Sequence, residues 1–355
     1  MTTIESQLSV EEFVGQVATD AAAVFHAATV VLGDKLGLYK ALAEGGPATA
    51  AELAARTGCD ERYLQEWLHA QVASGYCGHD AATGRFSLSP AQATVLTDES
   101  SPAFAAGMIS LAAAILKDEE RLMRSAFRTG AGVAWHEHHD DLFTDTERLF
   151  KPGYIANLVS SWIPALDGVE GKLRAGATVA DIGCGYGAST IFMAQAYPNS
   201  TFTGFDYHEE SIAAASKRAA EAGVSDRVRF ETAAADDIPG TGYDLVCVFD
   251  ALHDMGDPVG AAAHIRSALA PDGTLLVVEP MAGETLADNT NVVGRIFYSA
   301  GLFVCLPHAK SQGGRQQLGP QVPESTWRRL LGDAGFTRFR RATETPFNRV
   351  FEARP

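Results

Sequence analysis

The period of the apolar residues changes once along the chain. From residue 10 to about residue 165 it is helical. Val14, Val17, Ala18, Ala21, Val24 and Phe25 recur at the spacing of one helix face. Residues 32–42 repeat that pattern, and Gly45–Gly46 supply a stop. Thr49 with Glu52 three residues later reads as a capping box before AAELAARTG. Gly58 breaks that helix, and Asp60 can cap the next, ERYLQEWLHAQVASG. Residues 76–90 then read as a small hairpin with its turn at 82–84. Two helices joined by a short turn and followed by a hairpin make a winged helix-turn-helix. A further helix is expected over 102–129, a loop over 130–141 and a helix over 152–166.

From about residue 175 strands and helices alternate. Strands are expected at 179–182, 201–206, 227–232, 245–249 and 274–279, with late strands at 337–343 and 349–353. Helices fit at 189–196, 210–222, 258–269 and 324–334. The fold class is therefore α/β: a Rossmann-like, doubly wound, seven-stranded sheet behind a mainly α winged-helix domain. The domain boundary is expected at 165/166.

Charge narrows what the winged helix does. The chain of 355 residues carries a formal net charge of −16. Residues 1–165 hold 11 Lys+Arg against 21 Asp+Glu, a net of −10. The helix that would read DNA offers Arg62 against Asp60, Glu61 and Glu66, whereas base and phosphate contacts call for Arg and Lys. The module is thus expected to serve dimerisation and substrate closure, with no nucleic-acid partner. The start, MTTIESQLSVEEF, is polar and acidic, unlike a signal peptide. Uncharged apolar stretches such as 102–116 fall short of a bilayer span, so no membrane partner and a cytoplasmic location are expected. The five cysteines are scattered without a C-x-x-C pair, which points to buried free thiols and no metal.

The densest chemical signal is Val179-Ala-Asp-Ile-Gly-Cys-Gly-Tyr-Gly-Ala-Ser189. A strand ends near Asp181, and Gly183, Gly185 and Gly187 lead into a helix. Glycine suits a loop whose backbone approaches a ligand or takes positive φ. Asp206 closes the next strand, where a carboxylate can hold ribose hydroxyls. These features imply an adenosine-type cofactor but leave NAD and S-adenosylmethionine both open. Asp181 is better placed to face the ammonium of S-adenosylmethionine than a pyrophosphate. Leu269-Ala-Pro-Asp-Gly273 before TLLVVE adds a turn and a fifth strand.

With these motifs the chain resembles the class I S-adenosylmethionine-dependent methyltransferases with an N-terminal winged helix, of the plant and actinobacterial small-molecule type. The resemblance implies that Gly183, Cys184, Gly185 and Gly187 hold the methionine tail and that Asp206 and Tyr207 hold the ribose side. It also places Ala235 and Asp236 beside the adenine, and Phe249 and Asp250 beside the cofactor tail. Ala234 stands where many relatives carry an adenine-binding Asp. Either Asp236 takes over that contact or backbone amides suffice.

Phe249-Asp-Ala-Leu-His-Asp-Met-Gly-Asp257 is similar to the H-D-W-S-D signature of winged-helix O-methyltransferases, with Met-Gly in place of Trp-Ser. The resemblance makes His253 the general base and Glu279 its brace. Asp254 either orients the imidazole or caps the helix starting near Pro258. An imidazole suits removal of a hydroxyl proton near neutral pH. The implied acceptor is an aromatic or polycyclic small molecule, methylated on oxygen. Carbon or nitrogen methylation without a strong base, or a non-catalytic sensor, are the alternatives. Trp135, His136, Tyr154, Tyr298 and Phe303 are candidates for the acceptor pocket. The His-rich stretch 135–141 fits a polar loop, because it lacks the H-E-x-x-H spacing of a metal helix. The family also implies a homodimer through its N-terminal helices.

Overall fold

The structure, a computed structural model, describes residues 8–118, 120, 126–314 and 316–355. It divides into two compact units, Met1–Ala113 and Ala114–Pro355.

The first unit holds α1 (Val10–Lys35), α2 (Leu38–Gly45), α3 (Ala50–Thr57), α4 (Glu61–Ala73), the hairpin β1 (Gly78–Asp80) and β2 (Arg85–Ser87), and α5 (Pro90–Thr97). The expected helix over 32–42 is interrupted. Gly37 takes φ +67, a left-handed conformation that suits glycine, and separates α1 from α2. Thr49 and Glu52 form the capping box of α3, and Asp60 caps α4. The core gathers Leu38, Leu42, Leu53, Leu64, Trp67, Leu68 and Phe86. Gln71 is buried, yet Tyr39, Thr29 and His26 all bond its amide, which removes the cost of an unpartnered polar group. Only Val30 and Gly33 of α1 are buried. The apolar face read in its first half is therefore exposed.

Helix α6 (Ala106–Ile115) contains the division between units. The helix expected over 102–129 is shorter: residues 116–118 form a 3₁₀ turn, and 119 and 121–125 lie outside the described residues. Next comes α7 (Asp140–Asn157), which starts well before the predicted 152. His139 caps it through Nδ1 to the amide of Asp141, and Pro152 is accommodated inside the helix. A π turn at Leu158–Trp162 follows. Because α7 and this turn pack on the helix after the glycine loop, the contacts divide the chain at 113/114 and not at 165/166.

The second unit continues with α8 (Val169–Ala175), β3 (Thr178–Ile182), α9 (Ala188–Ala196), β4 (Thr201–Asp206), α10 (Glu209–Glu221), β5 (Val228–Thr232), β6 (Tyr243–Phe249), α11 (Pro258–Ala268) and β7 (Leu269–Pro280). After these come α12 (Val292–Phe303), α13 (Cys305–Ser311), α14 (Glu324–Asp333), β8 (Arg338–Glu344) and β9 (Asn348–Arg354). The seven strands lie in the order β5-β4-β3-β6-β7-β9-β8. The first five are parallel, and β9 pairs antiparallel with both β7 and β8. The L-A-P-D-G segment runs into β7 as one element.

Side chains of successive residues go to opposite faces of a strand, and the two cores follow from that. Ala180, Ile182, Val246, Val248, Leu275 and Val277 face one layer with Ile265, Trp327 and Leu330. Val179, Leu245, Cys247, Phe249, Leu276 and Val278 face the other, with Trp162, Leu173 and Met193. Burial on both faces explains the near-continuous apolar runs of β6 and β7. The carboxyl ends of β3, β4, β6 and β7 then present Ile182, Asp206, Phe249 and Glu279–Pro280 side by side.

Candidate active site

The glycine loop begins where β3 ends. Gly183, Gly185 and Gly187 take φ of +69, +51 and +80, a region other residues enter at a cost. A Cβ at Gly187 would lie 2.5 Å from the Phe230 ring. The loop is fixed from β4: the amides of Gly183 and Cys184 bond the Phe205 carbonyl. Asp206 accepts from the Gly185 amide through Oδ2 at 2.9 Å and from the His208 amide through Oδ1 at 3.0 Å.

Asp181 lies under this loop and is 1% exposed. Its Oδ2 accepts from the hydroxyls of Ser189 (2.7 Å) and Thr190 (2.6 Å), partners the sequence did not announce. Its Oδ1 has no partner. Burial pushes the carboxyl up to about 6, against the two hydroxyl bonds, with a smaller push from Asp206. An orphaned buried carboxylate oxygen under a glycine cradle fits the ammonium of an amino-acid tail.

Asp250 follows β6 with φ +48, the one non-glycine residue among those described to take a positive φ. Such a conformation costs of order 1–3 kcal/mol and persists only when its surroundings hold it. Its amide bonds the Val278 carbonyl, and Asn348 Nδ2 donates to both of its oxygens at 2.9 and 3.2 Å. Burial, reinforced by Glu279, pushes its carboxyl well above the usual range. Tyr154 packs edge-on against Phe249, and its hydroxyl feels Asp250 and Asp181. Expected in the acceptor pocket, it has Phe249 and Trp162 as its ring neighbours. Ala235 packs on the core, while Asp236 is exposed.

His253 is 2% exposed. Glu279 Oε2 lies 2.6 Å from Nδ1, and Oε1 accepts from the His253 amide at 3.3 Å. Asp254 Oδ1 lies 2.9 Å from Nε2, an ion-pair contact without hydrogen-bond alignment. The helix after this motif is capped by Asp257, whose Oδ1 accepts from the Gly260 amide. Asp254 therefore faces the imidazole. Burial pushes His253 down, but Asp254 and Glu279 outweigh it and hold the imidazole well above its ordinary value. Burial pushes Asp254 up, and His253 beside it brings it below the usual range. The two directions agree on an imidazolium–carboxylate pair.

The sequence missed several neighbours of this group. Cys305 Sγ lies within 4.8 Å of a ligand atom of both His253 and Asp254; burial pushes its thiol up to about 12. It is half-buried, not a core thiol. Arg349 is fully buried behind Glu279, donates to the carbonyls of Pro280 and Val322, and is brought down to about 10 by burial. Gly256, at the Ser position of the resembled H-D-W-S-D signature, lets the loop meet residues 312–314: a Cβ there would lie 2.7 Å from Gln312 Cβ. No local motif marks Asn348, Arg349 or Gln312. They arrive through the antiparallel return of β9 and the loop after α13.

The acceptor candidates separate. Trp135 meets Phe143, His138 and His308, and Tyr207 stacks on His308. His136 is exposed. Tyr298 is 42% exposed and meets Asn289, and Phe303 is half-buried at the end of α12.

Residues 173–318 match the family described as Methyltransferase domain, and residues 24–98 match that described as Rv2258c-like winged HTH domain. Residues 173–318 are thus similar to a methyltransferase domain and residues 24–98 to a winged helix. Among particular relatives, the 27-O-demethylrifamycin SV methyltransferase of Amycolatopsis mediterranei is 36% identical over 131 residues, 35% of this chain and 48% of that protein. The ubiquinone biosynthesis O-methyltransferase of Pseudomonas paraeruginosa is 32% identical over 136 residues, 38% and 55%. The chain thus spans about half the length of these two curated relatives. The solved mitomycin 7-O-methyltransferase is 23% identical with a TM-score of 0.73, over 97% of this chain and 98% of that one. Human N-acetylserotonin methyltransferase, in complex with SAM, is 19% identical with a TM-score of 0.70, over 100% and 99%. At such identities the likeness is one of fold.

Proposed function

We propose that this chain transfers the methyl group of S-adenosylmethionine to a hydroxyl of an aromatic or polycyclic small molecule. The observation that carries the reading is the buried Glu279–His253–Asp254 group, set at the strand ends beside Asp181 and the glycine cradle. O-methyltransferases among the relatives support oxygen as the acceptor atom.

Asp181 Oδ1 would take the cofactor's ammonium, the Gly183–Gly187 backbone its tail, and Asp206 its ribose hydroxyls. Asp236 is assigned to the adenine. The bound cofactor supplies a methyl group already activated as a sulfonium. The protein then has to align the acceptor and remove one proton. His253 Nε2 receives the hydroxyl proton, and Glu279 at Nδ1 fixes the ring and stabilises the resulting imidazolium. Two carboxylates make His253 a stronger base but leave less of it neutral at pH 7. Turnover should therefore rise with pH.

The homodimer is assigned to the N-terminal region, supported by the exposed apolar stripe of α1: Phe13, Val14, Val17, Val24 and Phe25 are each more than half exposed. Two helical stretches, Val10–Lys35 and Val292–Ser311, are long and apolar enough to cross a membrane by length and composition. We assign neither to a membrane. The second is broken at Val304 into helices of 12 and 7 residues, and 12 residues span about 18 Å of a core about 30 Å thick. The first carries Asp20 near its middle, which costs about 3 kcal/mol at a bilayer centre. A cytoplasmic location is proposed on the five free cysteines, which suit a reducing compartment.

Calorimetric titration with S-adenosylmethionine, with NADH as control, tests the cofactor. Micromolar binding of the former alone is expected; binding of NADH alone overturns the reading. An acceptor screen read by S-adenosylhomocysteine release then tests the reaction.

A further inference from the structure

One buried hydrogen-bond donor close to this site has no partner in the fold. The Gln312 side chain is fixed from two sides: its Oε1 accepts from the Gly256 amide at 2.9 Å, and its Nε2 donates to the Asp254 carbonyl at 3.0 Å. The NH₂ end therefore faces His308, whose Nε2 lies 2.9 Å away. An amide nitrogen can only donate, so His308 Nε2 accepts, and in the neutral ring the proton sits on Nδ1. Burial lowers the pKa of His308, which keeps the ring neutral. Nδ1 is thus an N–H donor, and it is buried without a partner on a residue only 8% exposed. An orphan of this kind destabilises the fold unless a ligand satisfies it.

Its surroundings say what kind of ligand. Tyr207 stacks on the imidazole with rings 10° from parallel, and Trp135 meets its edge at 6.1 Å. The same indole adjoins His138, whose Nδ1 pairs with Asp118 and whose Nε2 is also unpartnered and buried. Aromatic surfaces with isolated polar atoms suit a flat, mostly apolar molecule carrying a few oxygens. Placement ties this spot to the base. Cys305, which adjoins His253, precedes His308 by three residues on α13, and residues so spaced are neighbours on one helix face. Gln312 Nε2 also joins the Asp254 carbonyl to His308 Nε2, which holds the ring beside the Asp254 end of the base.

We propose that His308 Nδ1–H binds a carbonyl oxygen of the methyl acceptor against Trp135 and Tyr207, so that the substrate is a planar aromatic hydroxy ketone or hydroxyquinone. The assignment rests on the methyltransferase reading above. Binding is measured on the S-adenosylhomocysteine-loaded protein with hydroxyanthraquinone and with anthrol, its carbonyl-free counterpart. The wild type is expected to bind the quinone about tenfold more tightly, the value of one neutral hydrogen bond at a buried donor. His308→Phe keeps the stacking and removes the N–H; it should bring the preference within about twofold. His308→Asn restores an N–H near the same place and should recover part of it. Equal wild-type affinity for the two compounds, or no measurable binding of either, overturns the proposal. So does a His308→Phe protein that loses affinity for S-adenosylhomocysteine instead, since the donor would then serve the cofactor. Failure of the wild type to bind S-adenosylhomocysteine at all would refute the underlying function, a separate result.

Discussion

Replacing Asp181 by Asn should strengthen the free protein and weaken its hold on the cofactor. The carboxylate is 1% exposed and has no cationic partner. Its pKa near 6, against 3.8 for an ordinary aspartate, measures that cost. At 1.36 kcal/mol per pH unit it amounts to about 3 kcal/mol at neutral pH. The sign follows from proton linkage. Between pH 4 and 6 the folded chain holds a proton that the unfolded chain has released, so stability falls as pH rises through this window and is level above it. Asparagine removes the charge, keeps an acceptor for Ser189 and Thr190, and fills the same volume. The variant should gain up to about 3 kcal/mol at pH 7, several degrees in melting temperature for a unit of this size, and little at pH 4. The cofactor's ammonium would meanwhile lose a charge-assisted hydrogen bond of about 1.5–3 kcal/mol, raising the dissociation constant roughly ten- to 150-fold. Calorimetric melting at pH 4 and 7, with titration of S-adenosylmethionine, reads both effects. A lower melting temperature at pH 7 together with unchanged affinity would refute the reasoning and make Asp181 a structural brace.

Four further outcomes are expected. His253→Ala should lower turnover about a hundredfold or more, the usual worth of a positioned general base, while leaving the cofactor dissociation constant within about twofold; retained turnover would mean that alignment alone drives transfer to carbon or nitrogen. His253 is held above its ordinary value, so kcat/KM should rise with pH as the imidazolium loses its proton, and Asp254→Asn should move that rise to lower pH; an unmoved profile would remove Asp254 from the site's electrostatics. Asp236→Ala should weaken cofactor binding severalfold, and an unchanged constant would reject its assignment to adenine. Phe25→Asp, at a residue 78% exposed, should convert a dimer to monomer in analytical ultracentrifugation without changing the melting profile of the second unit; a wild type that sediments as a monomer would remove the dimer assignment.

The sheet was legible because burial on both faces leaves apolar strands such as 245–249, bounded by turn residues, and because Gly183, Gly185 and Gly187 sit where the chain must turn under a ligand. His253 and Glu279 were legible as a pair through the family resemblance, and their places after β6 and at the end of β7, neighbours in the sheet, bring them together. The helix boundaries between 102 and 166 were not. His139 is an uncommon cap, and Pro152 inside α7 is held by tertiary packing that overrides local preference. The neighbours of the base were equally hidden. Cys305, Gln312 and Asn348 lie 52, 59 and 95 residues beyond His253 in sequence, so no local spacing could join them. The surface of α1 was legible only in part: periodicity reports that a helix has an apolar face, and says nothing of what covers it.

That uncovered face has a consequence for handling the protein. A stripe that includes Phe13, Val17 and Phe25 gains by meeting another like it. Self-association through such a surface would make folding a matter of mass action, and the midpoint of unfolding would climb with the amount of protein in the tube. Melting temperatures taken at nanomolar and micromolar concentrations would then describe different populations. In a cell, the abundance of the chain would set its own resistance to proteolysis, with the N-terminal helices the first to yield when copies are scarce.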